Sequence, residues 1–163
     1  VLEMEKMLNE YLQFASSGSL EKTETFNLSE LLDMTIKKYE KKEIVTNIEE
    51  RIYIDGRKNL IQRCINNFID NSIKYSNNIY VSSKKSGNNI LIIIEDDGPG
   101  IPENERENVF KPFYKINKSR GDSKSSVGLG LSIASDIIKS HGGNIKLETS
   151  PSNGLRAKII LPF

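Results

Sequence analysis

The chain has 163 residues, 37% hydrophobic and 28% charged, enough for one domain with its own core and too apolar for a disordered chain. Twenty-three basic residues against 22 acidic ones leave a formal charge of +1, which excludes the electrostatic footprint of a nucleic-acid binder and a polybasic membrane signal. The single cysteine, Cys64, excludes an intramolecular disulfide framework and the single histidine, His141, a multi-histidine metal site. The longest aliphatic run, Ile90 to Ile94, has five residues and cannot span a bilayer. No signal peptide is visible, and a chain opening on Val1 is expected to continue upstream.

Residues 1 to about 16 have helical spacing, with Leu2, Met4, Leu8, Tyr11, Leu12 and Ala15 interleaved with charges. Ser16-Ser17-Gly18-Ser19 then reads as a linker. So short a helix cannot bury its stripe alone; it packs on a partner helix or docks on its own domain. Thr23 to Phe26 predicts a short strand, and Asn27-Leu28-Ser29-Glu30 has capping-box spacing for a helix through Leu31, Leu32, Ile36 and Tyr39. Ile44 to Ile48 and Ile52 to Ile54 alternate as strands do. Arg57 to Tyr75 is a long helical pattern, with Leu60, Ile61, Cys64, Ile65, Phe68, Ile69 and Ile73 on one face. Ile79 to Lys84 and Ile90 to Glu95 read as a hairpin across Ser86-Gly87-Asn88-Asn89. A charged, turn-rich stretch runs to Val127, then a helix from about Leu129 to Ser140 closed by Gly142-Gly143. Asn144 to Thr149 and Leu155 to Leu161 are the last strands. Strands and helices mix without strict alternation, so an α+β layered sandwich is expected rather than a Rossmann sheet.

Four features bear on chemistry. Asn67 and Asn71, with Lys74 and Tyr75 one turn on, share a helical face; they are either a solvated polar face or a set that includes an amide oxygen suited to Mg²⁺. Asp96-Asp97-Gly98-Pro99-Gly100-Ile101 follows a strongly apolar strand. It is either an ordinary turn or a carboxylate facing a ligand's amino group, with glycines that let the ligand approach. Val127-Gly128-Leu129-Gly130-Leu131 opens a helix, where free backbone N–H groups suit phosphate. Before it, Lys111, Lys115, Lys118, Arg120 and Lys124 stand against Asp122 alone, a net +4 over 14 residues, either a solvated basic loop or a lid. In Val109-Phe110-Lys111-Pro112-Phe113-Tyr114, two aromatics three apart are read as anchoring a loop to the core. His141, at a helix end before two glycines, is read as a cap and Cys64 as core.

In this order the features resemble the boxes of sensor histidine kinases. Asn67, Asn71, Lys74 and Tyr75 resemble the N box, Asp96-x-Gly98-x-Gly100 the G1 box, Phe110-x-x-Phe113 the F box, and Gly128-Leu129-Gly130-Leu131 the G2 box. Glu95 to Ile101 is particularly similar to EnvZ-type osmosensor kinases. The resemblance covers residues 20 to 163 and implies a two-layer α/β sandwich of the Bergerat ATP-binding type. Residues 1 to 19 look like the end of a dimerisation and phosphotransfer helix with its linker.

The resemblance implies Asn71 as the Mg²⁺ ligand and Asn67 on the same wall, with Lys74 and Tyr75 reaching the phosphates of ATP or ADP. It implies Asp96 as acceptor from the adenine 6-amino group. Gly98, Gly100, Ile101, Phe113, Gly128, Leu129, Gly130 and Leu131 complete the nucleotide set, and Lys115 and Arg120 are rival lid cations. Ser126 stands where a further glycine is usual, and Lys115 cannot fork onto phosphate as arginine does. No residue matches the phosphoacceptor histidine. The implied activity is therefore the ATP-binding half of an autokinase. Its acceptor histidine would lie elsewhere, its homodimer would form through the upstream hairpin, and its downstream partner would be a response-regulator aspartate. It would be a cytoplasmic domain of a membrane-anchored sensor, with no nucleic-acid partner. Gyrase- or chaperone-type ATPases of the GHKL superfamily resemble the same pattern, as do non-enzymatic nucleotide-gated interaction modules and anti-sigma serine kinases. The ATPases carry a glutamate as general base one turn before the metal asparagine, where this chain has Asn67.

Overall fold

The computed structural model describes residues 21–40, 42–116 and 128–163, together with residues 2, 4–6, 8, 9, 11 and 12. The element order is β1 (Glu24–Asn27), α1 (Leu28–Lys37), β2 (Ile44–Ile48), β3 (Tyr53–Gly56), α2 (Lys58–Tyr75), β4 (Ile79–Ser86), β5 (Asn89–Asp96), α3 (Gly130–Ser140), β6 (Asn144–Thr149) and β7 (Leu155–Pro162). Two short 3₁₀ turns, Glu103–Glu105 and Asn108–Phe110, lie between β5 and α3. The first and third strands sit one residue or more later than their spacing predicts.

β2-β4-β5-β7-β6 form one five-stranded sheet, with β2 parallel to β4 and every other pair antiparallel. β1 and β3 form a separate antiparallel pair. Strict alternation puts Ile90, Ile92 and Ile94 of β5 and Leu155, Ala157, Ile159 and Leu161 of β7 on the buried face. The helices cover that face. Leu60, Ile61, Cys64, Ile65, Phe68 and Ile69 of α2, and Ile133, Ala134, Ile137 and Ile138 of α3, are buried with them in one core. Each isoleucine fully withdrawn from water contributes about 1.5–3 kcal/mol, so this shared face holds the two layers together. Burial also pushes the Cys64 thiol pKa up, as its core position requires.

Local signals end and start the elements. The Asn27 side chain accepts from Glu30 N at 3.2 Å, starting α1. Gly87, with φ 61°, is the first residue of the β4–β5 turn, as a primed hairpin turn requires. α2 has no cap from its own N-cap residue, Arg57. The Glu21 carboxylate closes it instead, accepting from Asn59 N at 2.9 Å and Leu60 N at 3.1 Å. The described residues among the first 12 are helical, and Leu2, Met4, Leu8, Tyr11 and Leu12 are more than half exposed. The linker at 16–19 lies outside the described residues. No helix among the described residues is long and apolar enough to cross a membrane.

Candidate nucleotide-binding site

The parity of β5 that buries Ile90, Ile92 and Ile94 also buries Asp96, which is 4% exposed at the strand's end. A carboxylate there must be hydrogen-bonded. Its Oδ1 accepts from Gly98 N and Leu155 N, both at 3.0 Å, and its Oδ2 accepts from Ser72 Oγ of α2, also at 3.0 Å. All three partners donate, and one Oδ2 lone pair is left over.

The four sequence boxes meet around the C-terminal half of α2. Gly98 packs so tightly under α2 that an added Cβ would stand 2.8 Å from Tyr75 O. The Asn67 amide donates to Gly130 O at 3.0 Å, joining α2 to the start of α3. Phe113 N donates to Gly128 O at 3.0 Å, joining the aromatic segment to the glycine turn. Gly128 has φ 78°, and a Cβ there would meet the backbone of Phe113 and Tyr114 at 3.0 Å. This is a position that only glycine fills without strain. Gly100, with φ 70°, sits against Gly154 O.

Most predicted site residues therefore converge. Asn67 and Asn71 are half-buried, Lys74 and Tyr75 are exposed, and the Lys74 ammonium lies 5.1 Å from the Tyr75 ring centroid. The Asn71 amide makes no hydrogen bond to the protein among the described residues, so its oxygen is free to ligate a hard cation. α3 begins at Gly130 with no side-chain hydrogen bond from its N-cap residue Leu129, so among the described residues its first-turn N–H groups have no side-chain acceptor and suit an anion. Leu129 is itself core at 2% exposure, while Leu131 and Ile101 pack partly against the core. Lys115 is half-buried two residues beyond Phe113; Arg120 and Ser126 lie outside the described residues.

The aromatic segment behaves differently from its expected anchoring role. Val109 is buried and Phe110 packs on the core, but Phe113 is 57% exposed. Its left-handed backbone (φ 65°) and its bond to Gly128 turn the ring away from the core. His141 does end α3, with Nδ1 at 2.7 Å from Ile137 O, but its Nε2 also accepts from Arg57 N at 3.0 Å. Burial lowers its pKa, in keeping with a neutral ring. The cleft beside it, lined by Glu21, Asp55, Arg57 and Ser140 among others, lies at the opposite end of α2 from the site.

Sequence reasoning missed the supports of Asp96. Ser150 Oγ donates to Asp96 O at 2.7 Å and accepts from Gly154 N at 2.9 Å, so the β6–β7 turn clasps the end of β5. Ser72 carried a readable signal: it lies in phase with Ile61, Ile65 and Phe68, a polar residue on an apolar stripe.

Asp97 holds the start of β4. It accepts from Asn78 N at 3.0 Å, Asn78 Nδ2 at 2.7 Å and Asn77 N at 2.9 Å. The Asn78 backbone bond foremost, then the other two, lowers its pKa from 3.8 to about 2. A pKa depressed by folding stabilises the fold above pH 3.8, and that contribution is lost as pH falls through about 2. Asp97→Asn is expected to flatten the acid limb of stability between these values. Urea midpoints measured from pH 2 to pH 6 check this.

A two-layer sandwich with a glycine-bordered carboxylate, a free helix amide and an open helix N-terminus is the architecture of a nucleotide-binding module. A family model described as histidine kinase-, DNA gyrase B-, and HSP90-like ATPase matches residues 56–163, and the chain belongs to that family. It is 37% identical over 109 residues to the sensor histidine kinase CpxA of Escherichia coli strain K12, covering 66% of this chain and 24% of that protein. It is 43% identical over 96 residues to the histidine-protein kinase ArlS of Staphylococcus aureus strain USA300, covering 57% and 21%. The catalytic domain of the histidine kinase ThkA superposes with a TM-score of 0.74 at 26% identity, over 86% of this chain and 97% of that one. The chain spans about a quarter of the length of the curated relatives it matches.

Proposed function

We propose that residues 20 to 163 are the catalytic domain of a two-component sensor kinase, binding ATP so that its γ-phosphoryl faces a histidine on another segment or molecule. The observation that carries this is the convergence of the four boxes on one end of α2, through the contacts of Asp96 with Ser72, Gly98 with Tyr75, Asn67 with Gly130, and Phe113 with Gly128. Asp96 accepts the adenine amino group; Gly98 and Gly100 seat the turn beside it against Tyr75 O and Gly154 O rather than clearing space for the base; the α3 N-terminus, Lys74 and Lys115 or Arg120 hold the phosphates. Asn71 holds Mg²⁺, which neutralises phosphate charge when bound. Catalysis is then mostly positioning and electrostatics.

His141 is a poor acceptor, because both ring nitrogens are engaged and it sits at the far end of α2. The acceptor histidine belongs to a helical hairpin of which residues 1 to 19 are the end. The exposed side chains of Leu2, Met4, Leu8 and Tyr11 in that segment support dimerisation through the hairpin. A response-regulator aspartate receives the phosphoryl group, and the domain works in the cytoplasm beneath a membrane-anchored sensor.

Two variants test the nucleotide assignment. Asn71→Ala should bind ATP with little remaining Mg²⁺ dependence. Asp96→Ala should narrow the preference for ATP over GTP by about tenfold or more, since a hydrogen bond to a charged group contributes roughly 1.5–3 kcal/mol. Calorimetric titrations of both variants with both nucleotides decide; an unchanged base preference in Asp96→Ala defeats the assignment.

A further inference from the structure

Ser72 is 3% exposed in the last turn of α2, on the stripe that otherwise holds apolar side chains. A serine or threonine inside a helix ordinarily points to water or bonds back to the carbonyl four residues earlier, as Thr35 Oγ1 does to Leu31 O at 2.7 Å. Ser72 instead crosses from the helix layer to the sheet layer and donates to Asp96 Oδ2 at 3.0 Å. The other carboxylate oxygen is saturated by two backbone N–H groups. Those two bonds fix Oδ1, yet they leave the carboxylate free to swing Oδ2 about that anchor. The Ser72 hydroxyl removes this freedom. It also takes one of the two Oδ2 lone pairs, so the carboxylate presents one acceptor position in one direction.

We propose that Ser72 is a specificity-determining positioning residue, aiming the last free lone pair of Asp96 at a purine amino group. A 6-amino purine places an N–H donor at that position. A 6-oxo purine places an acceptor against an acceptor, a mismatch that becomes costly only when the carboxylate cannot rotate away. Ser72 thus sets how strongly the site rejects oxo-purines, while Asp96 makes the contact itself. The inference rests on the assignment of Asp96 as the adenine acceptor.

The test titrates wild type, Ser72→Ala and Ser72→Thr with Mg-ATP and Mg-GTP by calorimetry, with thermal melts alongside. Ser72→Ala should lose roughly tenfold of the ATP-over-GTP preference, and Ser72→Thr, which keeps the hydroxyl, should recover it. A merely structural role predicts equal losses for both nucleotides. Ser72→Ala leaves Asp96 Oδ2 without its donor, which outweighs alanine's better helix propensity, so its melt should fall by several degrees; titrating well below each midpoint keeps a folding defect out of the result. If wild type prefers ATP and Ser72→Ala prefers it equally, the role of Ser72 is overturned and that of Asp96 stands. If wild type shows no preference, the Asp96 assignment falls and the inference falls with it.

Discussion

Steady-state phosphate release from Mg-ATP by this chain should be slower by about 10²–10⁴-fold than that of an enzyme with a general base in place. The position one turn before Asn71 is Asn67, whose neutral amide cannot take a proton from water near pH 7. The structure adds a second reason. The Asn67 amide nitrogen is already used, donating to Gly130 O at 3.0 Å across the junction of α2 and α3. This position therefore requires a donor, and a glutamate would set an acceptor against an acceptor. Asn67→Glu should accordingly stay within tenfold of the wild-type turnover and lose about tenfold in ATP affinity, because the join between α2 and the start of α3 opens. Phosphate release is the measurement, with Asn71→Ala as the control for contaminating ATPases. Wild-type turnover near ~1 s⁻¹, inside the ordinary enzyme range, would falsify the kinase reading in favour of an ATPase.

Much of this architecture is legible in the sequence wherever local periodicity decides it. β2 occupies Ile44–Ile48 as its alternation predicts, and α2 starts one residue inside its expected span. The hairpin β4–β5 turns at Gly87 because no other residue there tolerates the backbone so well. What periodicity does not carry is long-range pairing. Ser72 and Asp96, or Ser150 and Asp96, are brought together only when the sheet closes against the helices, and nothing local in either segment names its partner. Glu21 capping α2 is the same kind of event, a side chain reaching a helix start that belongs to a distant element. Phe113 failed as an anchor for a different reason: its left-handed backbone, set by the bond to Gly128, reverses the direction its spacing from Phe110 implies. The box residues were legible as a set because their order is informative; of the residues that hold them in place, Ser72 stood out as a polar residue on an apolar stripe, but its partner did not.

The last of those supports gives the sharpest structural test. At Gly154 an added Cβ would lie 2.1 Å from Asp96 O, 2.7 Å from Asp96 C and 2.7 Å from Asp96 Oδ1. Two of these atoms are backbone and the third is a carboxylate oxygen held by two N–H groups, so Gly154→Ala must push the β6–β7 turn off the end of β5. Two bonds give way with it, Ser150 Oγ to Asp96 O and Leu155 N to Asp96 Oδ1. Overpacking of this kind costs about 3 kcal/mol, and a chain of this size should melt about 6–12 °C lower. The carboxylate that remains has lost one of its anchors, so ATP affinity should fall by more than about tenfold even at temperatures where the variant is folded. Gly87→Ala is the matched control. It meets no atom within 4 Å and carries only the cost of its positive φ, so it should melt slightly lower and bind ATP as wild type does. Ser150→Ala guards against a Gly154 variant that does not fold, since it removes the clasp without adding bulk and should weaken ATP binding several-fold. Differential scanning calorimetry followed by titration at about 15 °C below each midpoint, an interval larger than the expected shift, separates the two effects. Wild-type affinity in folded Gly154→Ala and Ser150→Ala together would mean that the turn does not position Asp96, and that the carboxylate is held by Ser72 and Gly98 alone.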